Sequence, residues 1–266
     1  YPTSLNPYAF EFSGGYVQRY ILANGKGYWE KFPGAISQSI TGTPRTRDSI
    51  SVVPGWNLVG SISNTVDTNT IVSVPPGLRA SLWFGYVAGY TPVTQLVPGK
   101  GYWLKSNAAG KFVLANPPVA GPAKVQASGE SALDALSTLT ITDSRGGSQT
   151  LYFGADAKNE IQLPMFVMPP APPAGALDAR FETAEGGSMV QTHAAKVSEP
   201  VEFSVAVQSD AYPLTVSWKV NGTASYELTD GRAGQVFRAK EMTGEGTIKI
   251  TNSELNKFTV KLVGDG

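Results

Sequence analysis

The residue types that carry acid–base or metal chemistry are sparse in this chain. It has one histidine, His193 in "MVQTHAAKV", and no cysteine among 266 residues. A histidine-centred triad therefore has at most one member, and no Gly-x-Ser-x-Gly elbow supplies a nucleophile beside it. Disulfides and thiolate metal sites are excluded, and a multi-histidine site with them. Paired carboxylates are the remaining route to hydrolysis, because a glycosidase needs only two acids that the fold brings together. Asp143, Asp156, Asp178, Glu182 and Asp230 are the candidates. Most stand beside Gly, Ser or Asn, where a short acidic side chain bonds nearby backbone to shape a turn, so structural roles are expected. "DTNT" and "TDSRGG" offer oxygen ligands for calcium, but without the spaced acids and distal Glu of an EF loop. The expectation is no enzyme, no cofactor and no metal.

"GKGYW" occurs twice, as Gly25–Trp29 and Gly99–Trp103. It lacks the Gly-x-x-x-x-Gly-Lys-[Ser/Thr] spacing and no helix signal follows it, so backbone amides would not converge on a phosphate. The aromatics offer a second kind of chemistry. Tyr28, Trp29, Tyr90, Tyr102 and Trp103 could present flat faces to sugar rings, together with Tyr16, Tyr20, Trp83 and Tyr86. The competing reading is that these rings fill the cores of small units, each burying a large apolar area. On that reading, which is favoured, GKGYW is a turn followed by a core aromatic and its Lys is a solvated tip.

Composition sets what must position these groups. Lys+Arg and Asp+Glu are 21 each and charged residues are 16%, so no long-range field favours nucleic acid or an anionic membrane face. No apolar run approaches the roughly 20 residues of a membrane span. Gly (29), Pro (19) and short Ser, Thr and Val runs indicate many short strands joined by tight turns, an all-β chain. It starts at Tyr1 without an initiator Met or a signal segment and so reads as a processed piece.

Two copies of one small β unit are present. Lys31 and Lys105 extend the repeated motif, and upstream Tyr16-Val17-x-x-Tyr20 matches Tyr86-Val87-x-x-Tyr90, with four extra residues in the second copy. Each copy reads as an aromatic hairpin. The second opens with a further strand, "PGWNLVGSI", that has no counterpart in the first. A sheet lacking a strand leaves backbone groups unpaired along an edge, so either another part of the chain or a neighbouring subunit is expected to fill it, unless the repeat was simply clipped. Residues 1–50 are read as the truncated first repeat, 51–115 as the second, and 116–136 as a Pro/Gly/Ala-rich linker. Residues 137–266 then alternate apolar and polar at regular spacing over about eight strands, with Trp218 on a central one, as an immunoglobulin-like β-sandwich.

Together "GWNLVGSIS", "PPG", "FGYVAGY", "PGKGYWLKSNAAG", "TLTITDSRGGSQTLYFG" and "PPAPPAGALDARF" resemble the C-terminal stretch of large proteins exported by the type IX secretion system. The resemblance implies an extracellular or cell-surface location and a stalk or accessory module without a catalytic constellation. It also implies a sorting domain, removed at the surface, where this sequence stops at "VKLVGDG". The function expected is a non-enzymatic structural subunit of a surface fibre or filament, associating with copies of itself through β-edges. Strand exchange would use Tyr8, Phe10 and Phe12 or Phe258, Val260 and Leu262. The alternative is adhesion or glycan binding through exposed Tyr and Trp faces. Expected partners are copies of the chain or, on the alternative reading, extracellular glycans, with no nucleic acid and no membrane insertion.

Overall fold

A computed structural model describes residues 3–39, 41–118, 133–232 and 234–264. The architecture is all-β, as the composition implies, and the chain divides into two compact units. The first comprises Tyr1–Tyr86 with Pro92–Gln126, and the second Val87–Thr91 with Ala127–Gly266. Most of the expected linker, residues 119–132, lies outside the described residues.

The strands up to residue 115 are short: β1 (Ala9–Phe12), β2 (Tyr16–Arg19), β3 (Arg47–Val52), β4 (Gly55–Gly60), β5 (Val66–Asp67), β6 (Val72–Val74), β7 (Phe84–Tyr86), β8 (Tyr90–Pro92), β9 (Gln95–Leu96), β10 (Gly101–Ser106) and β11 (Gly110–Ala115), all in the first unit except Tyr90 and Thr91 of β8, which belong to the second. They pair in the orders β1-β2, β4-β10-β7-β8, β3-β11-β6 and β5-β9. Leu96, Leu104 and Leu114 are fully buried and pack with Val59, Trp83 and Phe112 in one core. The expected border at residue 50 falls inside β3, which pairs along its whole length with β11. The two repeats are therefore parts of one unit and not separate domains.

Backbone bonds correct the alignment of the repeats. Phe10 pairs with Trp29 as Phe84 pairs with Trp103. Ser13 N–H donates to Gly15 O as Val87 N–H donates to Gly89 O. Ala23 N–H donates to the Tyr28 hydroxyl at 2.9 Å, and Val97 N–H to the Tyr102 hydroxyl at 2.7 Å. Gly25 and Gly99 both hold φ at 78°, the left-handed turn conformation that glycine adopts without strain. All these equivalences share the spacing of the GKGYW motifs, with no insertion, so Tyr16 answers to Tyr90 and Phe12 to Tyr86. The copies also contact each other reciprocally, as in a two-fold interface. Phe12 meets Trp103 edge-on with ring centroids 4.9 Å apart, and Tyr86 meets Trp29 at 4.7 Å. Gly27 and Gly101 come together between these pairs: a Cβ on Gly101 would lie 3.2 Å from the Gly27 Cα.

The second unit is a two-sheet sandwich. Its strands are β12 (Ser137–Thr142), β13 (Ser148–Ala155), β14 (Asp178–Phe181), β15 (Val190–His193), β16 (Glu202–Gln208), β17 (Leu214–Lys219), β18 (Ser225–Thr229), β19 (Lys240–Met242), β20 (Glu245–Ile250) and β21 (Lys257–Gly264). The sheets run β15-β13-β12-β17-β20 and β14-β16-β21-β18-β19, antiparallel except for the β13–β15 pair. Strict alternation of buried and half-buried residues in β12 and β17 buries Leu139, Ile141, Leu214 and Val216 on one face. Asp143–Gly147 forms the β12–β13 turn as expected, and the proline-bearing stretch before β14 carries the chain from one sheet to the other. Proline cannot donate to a ladder, which suits a crossing segment.

Candidate functional site

The candidate acids are all engaged in holding backbone or neighbouring cations. Asp143 accepts from the N–H groups of Arg145 (3.0 Å) and Gly147 (2.8 Å). Asp156 accepts from those of Glu160 and Ile161, both at 3.0 Å. Asp230 is buried and accepts from the N–H groups of Arg232, Gly234, Val236 and Phe237. Burial pushes its carboxyl up, but the four amide donors outweigh that and hold the pKa at about 2. Asp178 forms a buried two-pronged pair with Arg180 at 2.6 and 2.7 Å, and Glu182 pairs with Lys257. Asp67 of "DTNT" caps a 3₁₀ turn by accepting from Asn69 N–H at 2.8 Å.

His193 is buried between the Ala194 carbonyl (2.7 Å) and the Tyr226 hydroxyl (2.9 Å). A carbonyl only accepts, so Nδ1 carries the proton and Nε2 accepts from the Tyr226 O–H. Burial pushes the Tyr226 phenol up to about 12, which keeps it a donor. Among the described residues no three His, Asp or Glu side chains gather as a metal site. No helix there is long and apolar enough to cross a membrane.

The aromatic candidates are placed differently from a sugar-binding platform. Tyr90, Tyr102 and Trp103 are at most 3% exposed, and Tyr28 and Trp29 are half-buried. Tyr102 and Tyr28 close their own turns through their hydroxyls. Within the second unit Tyr90 donates its hydroxyl to Pro170 O and its N–H to Gln149 Oε1, both at 2.7 Å. As faces for sugar rings, Tyr90, Tyr102 and Trp103 are unavailable because the core covers them. Among the described residues Tyr20, 71% exposed, is the large ring that does face outward.

The strand-exchange candidates are likewise placed on inner strands. Phe10 and Phe12 lie on β1, with Tyr8 just before it. β1 has β2 on one side and Trp29 on the other. Phe258, Val260 and Leu262 lie on β21, between β16 and β18, with Phe258 and Val260 buried. Neither segment is an unengaged donor, because removing it would break ladders on both its sides.

An open border of the first repeat lies further along the chain, in the GKGYW segment. In an antiparallel strand the N–H and C=O of successive residues face opposite sides. In β4, Leu58 O and Gly60 N face the first repeat, accepting from Gly27 N–H and donating to Gly25 O. Asn57 and Val59 face β10, where they pair with Leu104 and Tyr102. The second repeat's opening strand thus serves both copies, and the Gly25–Gly27 edge is filled in cis. In the first copy the residues equivalent to Tyr102 and Leu104 are Tyr28 and Glu30. Trp29 turns its N–H and C=O toward β1, so Tyr28 and Glu30 turn theirs away, and no backbone partner meets them among the described residues. Ile21 and Leu22 are equivalent to Gln95 and Leu96, which pair with Asp67 and Val66 of β5. Leu96 is fully buried, whereas Leu22 is 42% and Ile21 85% exposed. Glu11, on β1, is held below the ordinary carboxylate range by a 2.7 Å bond from Arg19, against burial and with help from Lys26.

Comparison with protein-family models, curated proteins and solved structures returned no match. The missing opening strand was readable from the repeat, whereas the pairing of β4 with Gly25–Gly27 had no local signal.

Proposed function

We propose that this chain is a non-enzymatic extracellular structural protein whose copies associate through open sheet borders into a surface fibre or filament. One observation carries the reading: in the extended segment through Tyr28 and Glu30, bridged to β1 at Trp29, the backbone groups of Tyr28 and Glu30 have no backbone partner among the described residues and lie beside exposed Ile21 and Leu22. Such a border is a template for a further strand, and proteins that do not use one usually blunt it with charge or cover it. The end strands β19 and β20 of the sandwich are blunted in this way, by Lys240, Glu241, Glu245 and Lys249. The carboxylates that could support hydrolysis are occupied with backbone and cations, which favours a structural role over catalysis. The surface location rests on the likeness to type IX exported proteins.

Electron microscopy and sedimentation of the purified chain over a concentration series test the reading. The expected outcome is filaments or a rising oligomer population. A monodisperse monomer at high concentration, without filaments, removes it.

A further inference from the structure

One contiguous stretch of the second repeat supplies the two contacts that the Tyr28–Glu30 border of the first copy lacks. In the second copy β4 seals the Tyr102–Leu104 border and β5 covers Leu96, and both strands belong to Gly55–Asp67. The first copy retains the acceptor side of both contacts and lacks the donor. Its acceptor backbone is also in place, because β1 holds Trp29 as β7 holds Trp103. The Ala23–Tyr28 turn bond keeps the same geometry as Val97–Tyr102.

We infer that the open border of the first repeat binds an extended segment with the chemistry of Gly55–Asp67, "GWNLVGSISNTVD", carried by a partner polypeptide. This rests on the reading that sheet borders are the molecule's contact surface, and it names the partner that fits one of them. The incoming strand pairs antiparallel with Tyr28 and Glu30, as Val59 and Asn57 pair with Tyr102 and Leu104. Its valine, in the place of Val66, covers Leu22, and the exposed Ile21 lies beside its aspartate. Main-chain bonds give such an addition its affinity and alternate side chains its specificity. Charge agrees with this occupant. The first copy carries Arg19, Lys26 and Lys31 against Glu11 and Glu30, whereas Gly55–Asp67 has one aspartate and no cation.

The test uses the full 266-residue chain at a dilution where it is monomeric, a labelled peptide of the Gly55–Asp67 sequence and a scrambled control. Fluorescence anisotropy should show saturable binding of the native peptide alone. Hydrogen exchange should slow at Ile21, Leu22, Tyr28 and Glu30. Ile21→Lys, at an exposed position, should weaken binding about tenfold or more by placing a charge on the border while leaving the fold intact. Glu30→Pro, which removes one of the N–H donors, should do the same. Absence of saturable binding, or protection at a different border, would overturn the inference. Filaments formed without peptide binding sink this inference and leave the proposed function standing; peptide binding without filaments does the reverse.

Discussion

Asp230 illustrates how the acidic residues of this chain are spent. Its carboxylate sits where β18 ends and gathers four amides of the following loop, so it replaces a stretch of ladder the chain cannot form there. Removing the acceptor in Asp230→Ala leaves the N–H groups of Arg232, Gly234, Val236 and Phe237 without it, of which those of Val236 and Phe237 belong to half-buried residues, and should lower stability by about 2 kcal/mol. Asp230→Asn keeps one oxygen and should lose less. The pH dependence follows from the sign of the shift. The folded pKa of about 2 lies below the ordinary value of 3.8, so the folded state binds this proton less readily than the unfolded chain. The contribution is whole above about pH 4 and is lost as pH falls through about 2. Urea unfolding of the parent and of Asp230→Asn between pH 2 and 6 should converge toward the acid end. Parallel curves across that range would show that the carboxylate charge does not matter. The turn role of Asp143, Asp156 and Asp230 was readable from their Gly, Ser and Asn neighbours. Asp178 departs from that expectation: it lies within β14 and pairs with Arg180, which two residues on shares its face of the strand.

At the level of elements, β4 is the strand on which the first unit turns, because both its borders are used by GKGYW segments. That double use requires close backbone approach. A Cβ on Gly27 would lie 2.7 Å from Val59 O and 2.9 Å from the Leu58 side chain, and one on Gly60 would lie 2.7 Å from Lys26 O. Gly27→Ala should therefore cost about 2 kcal/mol and speed exchange of the β4 amides that face the first repeat. Gly15→Ala, with open space around the added carbon and an ordinary φ, should leave exchange unchanged. Equal effects of the two substitutions would contradict the pairing of β4 with Gly25–Gly27. The strands of the sandwich were readable because apolar residues alternate with polar ones through β12, β13, β16 and β17. The repeat was readable too, but not its register. Gly-Tyr-Val-x-x-Tyr occurs before both motifs at one spacing, and the true equivalence of Tyr16 with Tyr90 runs at another. Only the matching turn bonds and the Phe10–Trp29 and Phe84–Trp103 bridges separate them. Which border stays open was unreadable for a related reason: it depends on a long-range pairing between residues more than thirty positions apart.

For the molecule as a whole, the balance of 21 cationic and 21 anionic side chains decides how the proposed association responds to solvent. Near pH 7 two copies carry no net charge to keep them apart, so contacts made by backbone bonds and apolar side chains meet little long-range opposition. At pH 4 about half the carboxylates have taken up a proton, and each copy carries a net charge on the order of +10. The Asp230 contribution is still largely present at that pH, so the units remain folded while the copies repel. Association measured by sedimentation velocity should therefore be strongest near pH 7 and weaker at pH 4. At pH 4, added salt should restore part of it, because screening shortens the reach of the repulsion to a few ångströms near 1 M. At pH 7 the same salt should change little, since a strand border of amides, Ile21 and Leu22 contains no ion pair to screen. Dissociation by salt at pH 7 would instead assign the contact to opposed charged patches, and the border at Tyr28 and Glu30 would lose its role in assembly.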